Sequence, residues 1–355
     1  MPNPPSIADI ARHLGMAPST VSKVLGPHAE RYRIAEDTRQ RIIAYAKSLG
    51  YAPDLKNRAR ATRRTGMVGV LYATPSPTTQ EVFERFGEVA VEHLRSHGYQ
   101  LCYLPASNWD EVRQRLAEHR VDGCLMLPPI PARDATTRLP VAMPLVLVNA
   151  LTDLPVPHIL TDDAQGVGLL VDHLAGLGHR HIAYADVASR PGDPSGDAWQ
   201  QRGYITSADL PLRPFGHYSE AWRRRGYHEA VARLGLPPQE LRGDAEGLLR
   251  QLVSGESTAV ITYNHQMALA LAHVARARGL VVPERFSFAC ASDPAYGALM
   301  DPAWTAVPIP LEAMVRRAVD ELVVLMEGQS AMAHAEIIIP QTIQVRGSTG
   351  PVPDR

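Results

Sequence analysis

Between residues 67 and 292 one pattern repeats: a short apolar run rich in β-formers, then a longer segment whose apolar residues recur at helical spacing. The runs are MVGVLYA (67–73), YQLCYLP (99–105), GCLMLPP (123–129), PLVLVNA (144–150), HIAYADV (181–187), TAVITYN (258–264) and FSFACAS (286–292). Helical candidates between them include 81–98, 109–120, 164–179, 220–235 and 265–279. Parallel neighbours need a helical crossover, so this alternation predicts parallel sheets with helices on both faces. About 280 residues of it exceed one comfortable sheet, and two α/β lobes flanking a cleft are expected. The stretch 188–217, rich in Pro, Gly and Asp, reads as an extended loop.

The first fifty residues follow different rules. Ile7, Ile10, Ala11 and Leu14 share a helical face, and Ser6 with Asp9 has the spacing of a capping box. Gly15 ends that helix; Pro18 suits the first position of a second, whose stripe of Val21, Val24 and Leu25 stops at Gly26. A third helix is expected from about 35 to 49, with Glu36 and Asp37 at its positive end and Gly50 as its stop.

Charge separates the two regions. Residues 1–65 hold twelve Lys or Arg against five Asp or Glu, which leaves 24 basic and 32 acidic residues for the remainder. A basic N-terminal module on an acidic body points to nucleic acid for the first and a different ligand for the second. The densest basic run is 55–64, with Lys56, Arg58, Arg60, Arg63 and Arg64. Other classes find little support. No stretch is long enough in apolar residues for a membrane helix, and the first fifteen residues lack the basic start and apolar core of a secretory signal, so the cytoplasm is expected. Cys102, Cys124 and Cys290 are scattered, which fits buried thiols better than a metal site; no cofactor is implied. Nucleophile-elbow, phosphate-loop, dinucleotide and zinc-protease motifs are missing, so the chain does not read as an enzyme. Asp162 and Asp163 read as a helix N-terminal signal, not a catalytic pair.

IADIARHLGMAPSTVSKVLG (7–26), continued by TRQRIIAYAKSLGYAPD (38–54), resembles the lactose-repressor family of bacterial transcription regulators. The family pattern is matched at Asp9, Ala11, Gly15, Thr20, Val21, Ser22, Val24 and Leu25, and the resemblance continues through most of the chain outside 188–217. It implies a small all-α helix-turn-helix headpiece (1–50), a hinge (51–65), an α/β two-lobed periplasmic-binding-protein-like body with parallel sheets (66–347) and a tail (348–355). It also implies double-stranded operator DNA, a small-molecule effector and a homodimer as partners. TGPVPDR cannot form the leucine heptads of a tetramer-forming tail.

By resemblance, Pro18, Ser19 and Lys23 occupy base-contact positions, and Thr20 and Ser22 backbone-positioning ones. Lys23 replaces a frequent arginine and offers guanine a point charge in place of a planar fork. In the hinge, Arg58 and Arg60 would contact the minor groove, with Arg60 where the family wedges a leucine. In the cleft, the resemblance assigns effector contacts to Arg223, to Asn264 and His265, to Ser292 and Asp293, and to Thr78 and Gln80. Thr78, Thr79, Gln80 and Glu81 take the place of a segment that carries two aromatics, and Ser292 that of an acidic acceptor. A sugar or sugar derivative and another polar metabolite both stay open as effectors. So does a solute-binding protein, as the body alone would suggest.

Overall fold

A computed structural model describes residues 5–26, 29, 32–51, 64–72, 80–106, 109–118, 121–127, 143–151, 155–186, 218–328 and 335–353. The expected loop at 188–217 lies outside them, as do Arg58, Arg60 and Thr78. No helix among the described residues is long and apolar enough to cross a membrane.

Three helices form the headpiece: α1 (Ile7–Leu14), α2 (Pro18–Val24) and α3 (Glu36–Ser48). The capping box is present. Ser6 Oγ accepts from Asp9 N at 3.2 Å, and Ser6 N donates to the Asp9 carboxylate at 3.1 Å. Gly15 closes α1 at φ 63°, the left-handed region that favours glycine. Ala17 and Ala35 provide no side-chain cap, as their chemistry requires. Ile10, Val21 and Ile42 meet, fully buried, in a core that Ala11, Val24 and Ala46 complete.

The first lobe is a six-stranded parallel sheet. Its strands are β1 (Met67–Tyr72), β2 (Gln100–Pro105), β3 (Gly123–Met126), β4 (Leu145–Val148), β5 (His158–Thr161) and β11 (Glu336–Ile339), in the order β11-β5-β4-β3-β1-β2. Alternate residues face opposite ways. Val68, Val70, Leu125, Val146 and Val148 pack with α4 (Gln80–Ser96) and α10 (Leu311–Met326), whereas Leu71, Cys124, Met126, Leu145 and Leu147 build the core of the other face. Helix α5 (Trp109–Glu118) contributes Leu116 there. The chain is anchored where it enters this lobe: Asp122 accepts from Thr65 N, Thr65 Oγ1 and Gly66 N at 2.7–2.9 Å. Arg64, the last residue of the basic run, donates to the Met326 carbonyl at 2.7 Å.

The second lobe is five-stranded and also parallel: β6 (Ile182–Asp186), β7 (Gln239–Arg242), β8 (Ala259–Thr262), β9 (Ser287–Cys290) and β10 (Thr305–Ala306), in the order β10-β9-β8-β6-β7. Helices α6 (Asp163–Gly176) and α7 (Tyr218–Arg233) bury one face; α8 (Ala245–Ser254) and α9 (His265–Ala277) bury the other. The chain passes between lobes three times, from β5 into α6, from β10 into α10 and from β11 back towards β10. The expected tail needs correction. Ser348 Oγ accepts from Thr305 N at 2.8 Å and donates to the Phe288 carbonyl at 2.7 Å, and Gly350 N donates to Ser287 Oγ at 3.0 Å, so 348–350 belong to the second lobe.

Candidate functional site

Two sites emerge, a helix face and a cleft. On α2, Pro18, Ser19, Ser22 and Lys23 are exposed while Val21 and Val24 turn into the headpiece core. Thr20 is half-buried. The Lys23 ammonium lies over the Tyr32 ring, 5.0 Å from its centroid, which restrains a long side chain without neutralising it. A short helix with polar, cationic outer residues at the N-terminus of a basic three-helix unit is suited to enter a major groove.

The cleft is defined by contacts that join the lobes. Tyr218, the first residue of α7, donates from Oη to Asn149 Oδ1 at 2.8 Å and accepts from Thr161 N at 3.1 Å. Asn149 follows β4 at φ 55°, a left-handed conformation that Asn tolerates. Glu81, on the first turn of α4, accepts from Ala295 N of the second lobe at 3.0 Å. These contacts set the carboxyl ends of both sheets against each other, where ligands of open parallel sheets bind.

Arg223 stands at the centre of the second lobe's contribution. Its Nε donates to Asp163 Oδ1 at 2.6 Å and its Nη1 to the Tyr263 carbonyl at 2.7 Å, with the guanidinium 5.1 Å from the Tyr263 ring centroid. Burial works against its charge, but Asp163 more than compensates and holds its pKa above the ordinary arginine value. Asp163 also accepts from Thr161 Oγ1 at 2.5 Å. Gly226 makes the arrangement possible. A Cβ there would run into the backbone of Ala164, so α7 approaches the start of α6 closely enough to bring Arg223 onto Asp163. Arg223 is buried, at 6% exposed.

The remaining expected residues divide. Asn264 caps α9, its Oδ1 accepting from Met267 N at 2.9 Å. His265 N donates to Ser292 Oγ at 2.9 Å, and the same hydroxyl is 3.0 Å from His265 Nδ1. These three residues come together at the ends of β8 and β9. Asp293 is engaged elsewhere: Arg346 grips it with Nη1 to Oδ1 at 2.9 Å and Nη2 to Oδ2 at 2.7 Å, while donating to the Trp304 carbonyl at 2.6 Å. Gln80 is exposed at the first position of α4 and donates to Glu84 at 2.8 Å.

Sequence reasoning missed several participants. Asp162 is the N-cap of α6, its carboxylate accepting from Gln165 N at 3.0 Å, as expected of a helix start. Its neighbour Asp163 is the buried partner of Arg223. Tyr218, Asn149, Thr161 and Tyr263 carried no local signal. Nor is the first lobe's cleft end purely polar: Phe83 packs against Tyr72 and Tyr103, with centroids 4.4 and 5.2 Å away. Tyr184 Oη, beside Arg223 and Tyr263, is buried with no hydrogen-bond partner among the described residues, and burial raises its pKa.

Residues 6–54 match the family model described as bacterial regulatory proteins, lacI family, and residues 171–349 match that of a periplasmic binding protein-like domain. The HTH-type transcriptional regulator MalR of Streptomyces coelicolor is 28% identical, covering 98% of this chain and 97% of that protein. Among solved structures, a Lac repressor dimer bound to operator and the anti-inducer ONPF superposes with TM-score 0.66 at 20% identity, covering 98% of this chain and 100% of that one. A transcriptional regulator CelR–cellobiose complex gives TM-score 0.62 at 21% identity, with 97% and 100% covered. Headpiece and body together place the chain in the lacI family of bacterial regulatory proteins, DNA-binding transcription regulators with a periplasmic-binding-protein-like body.

Proposed function

We propose that the protein is a cytoplasmic repressor that binds a partly palindromic operator as a homodimer and releases or retains it according to a small polar ligand in the cleft. The carrying observation is the buried Arg223–Asp163 pair at the first lobe crossover, 2.6 Å long, where a ligand oxygen approaching the guanidinium would alter a second-lobe contact that reaches the first lobe through Thr161. In this reading Pro18, Ser19 and Lys23 meet base edges, Thr20 and Ser22 meet the backbone, and Arg58 and Arg60 follow the minor groove. Arg223, Asn264, His265 and Ser292 meet the ligand, with Thr78 and Gln80 across the cleft. Asp293 supports the wall through Arg346. A sugar or sugar derivative is the ligand class favoured, on the polar donors and acceptors above, the Tyr72–Phe83 pair and the cellobiose carried by one structural neighbour. The Ser292–His265 pair, where an acidic acceptor is absent, favours a non-sugar polar metabolite as second reading. The cleft binds in this reading and does not catalyse.

A thermal-shift screen of sugars, nucleosides and small acids, followed by operator binding with each hit, tests this reading. The expected result is one ligand class that raises Tm and changes operator affinity. Operator binding with a flat salt response would sink the DNA-binding half, since neutralising several phosphates requires a log–log slope near 0.9 per contact.

A further inference from the structure

Away from both sites, His93 in the last turn of α4 and His97 just past its end face Asp320 of α10. His93 Nε2 is 2.7 Å from Asp320 Oδ1, and His97 Nε2 is 3.9 Å from the same oxygen. The three ligand atoms all lie within 4.8 Å of one another.

The hydrogen bonds around His97 fix its tautomer. Nδ1 is 3.0 Å from the His93 carbonyl oxygen, which can only accept. It is also 3.2 Å from Ser96 Oγ, whose own proton goes to that same carbonyl at 2.7 Å. The Nδ1 position therefore carries a proton, and in the neutral ring the lone pair sits on Nε2. That nitrogen lies 3.9 Å from a carboxylate oxygen of Asp320. Two such atoms can share a cation, and a ring held through a backbone carbonyl on its far nitrogen is the usual support of a metal-binding histidine.

We propose that His93, His97 and Asp320 form a binding site for a borderline divalent cation of the zinc class. Two imidazoles and one carboxylate suit Zn²⁺ and its neighbours and do not suit Mg²⁺ or Ca²⁺, which prefer oxygen. Ligands of a tetrahedral zinc ion, at about 2.05 Å from the metal, sit about 3.3 Å apart. The 2.7 and 3.9 Å separations from Asp320 bracket that value, and the third pair lies within 4.8 Å, so closing on an ion requires the imidazoles to turn towards each other. Binding replaces the proton His93 Nε2 shares with Asp320 by the metal, and His93 then carries its proton on Nδ1. The contact from Arg316 Nη1 to His93 Nδ1, 3.4 Å, is given up. Arg316 keeps Glu312, at 3.1 and 3.2 Å from two of its nitrogens.

The site would clamp α4 to α10. Both helices begin near the cleft: α4 carries Glu81 on its first turn, and α10 starts just after the second crossover, with Arg85 reaching Glu312 at 3.3 Å. A bound ion would stiffen the helix pair that supports the first lobe's side of the cleft.

Titration calorimetry on the untagged, EDTA-treated full chain decides the proposal, with Zn²⁺ as probe and Mg²⁺ as control. The expected result is one Zn²⁺ per chain, no Mg²⁺ binding, and an affinity lower by about tenfold or more in His97→Ala and Asp320→Asn. Co²⁺ substitution gives an independent readout: intense d–d absorption in the wild type, lost in both variants. The metal-free variants should unfold at the wild-type temperature, which separates ligand loss from misfolding. Equal Zn²⁺ affinity in wild type and variants, or no stoichiometric binding, would overturn the site and leave His93–Asp320 as a hydrogen-bonded pair.

Discussion

Arg223 and Asp163 meet at 2.6 Å with side chains 7% and 1% exposed, so the guanidinium read as a ligand contact already has a full-time anionic partner. Breaking such a pair from one side leaves a buried charge uncompensated, at a cost of about 3–5 kcal/mol. Arg223→Ala should therefore destabilise the body as well as silence the ligand response. Arg223→Ala with Asp163→Ala should recover part of the stability and none of the response. Urea unfolding of the single and double variants measures the coupling. Additive losses would mean the two residues do not act as a pair.

Lys23 is exposed on α2 and lies over the Tyr32 ring. Lys23→Ala is expected to relax base preference at one position per operator half-site by about 1–3 kcal/mol. Binding measured across operators substituted at each position checks this. A uniform loss over all sequences would make Lys23 a phosphate contact.

The Ser6–Asp9 box holds the start of the headpiece. Ser6→Ala should cost about 1 kcal/mol of headpiece stability, a large share for so small a core. Its pH dependence follows from Asp9, whose pKa is lowered by the Ser6 hydroxyl and backbone N–H. The folded headpiece binds this proton less readily than the unfolded chain. The contribution is thus complete above the ordinary value of 3.8 and vanishes as pH falls through the lower folded value. Helicity measured during acid titration should show the gap between wild type and Ser6→Ala narrowing at the acid end, where only the Asp9 N to Ser6 Oγ bond still separates them.

Among the contacts joining the lobes, Ala295 N donates to both carboxylate oxygens of Glu81, at 3.0 and 3.3 Å. Glu81→Ala should shift the lobes apart by about 0.5–1.5 kcal/mol and weaken ligand binding by up to about tenfold. Small-angle scattering of the ligand-free protein, with ligand titration, reads both effects. An unchanged scattering profile and affinity would show that the contact carries no closure energy.

Much of this architecture was legible in the chain because buried parallel strands need continuous apolar runs, and seven of the eleven strands announced themselves that way. The four that did not explain the limit. HILT (158–161) is four residues long and carries a polar residue at each end. QELR (239–242) is polar, at a sheet edge. TA (305–306) has two residues, and EIII (336–339), also at an edge, was visible only as part of the family resemblance. Helix α10 escaped notice although Met314, Val315, Ala318, Val319 and Leu322 are fully buried against the first sheet. On the site, periodicity could nominate Arg223 but not its partner. Asp163 lies sixty positions away, and its neighbour Asp162 supplies an equally good reason for an acid at that helix start. Pairings made by tertiary approach, such as that allowed by Gly226, leave no mark on a single sequence.

The third lobe crossover has a consequence for the order in which the protein is made. The first lobe's sheet is completed by β11, and much of its core comes from α10, both synthesised after almost all of the second lobe. The second lobe in turn waits for Gln344, which bridges to Ala306, and for Ser348. Neither half of the sensor is complete before residue 348 has been made, whereas the headpiece core is contiguous within residues 7–51. A chain cut short anywhere in the body would keep a headpiece able to meet DNA and lose the sensor that governs it.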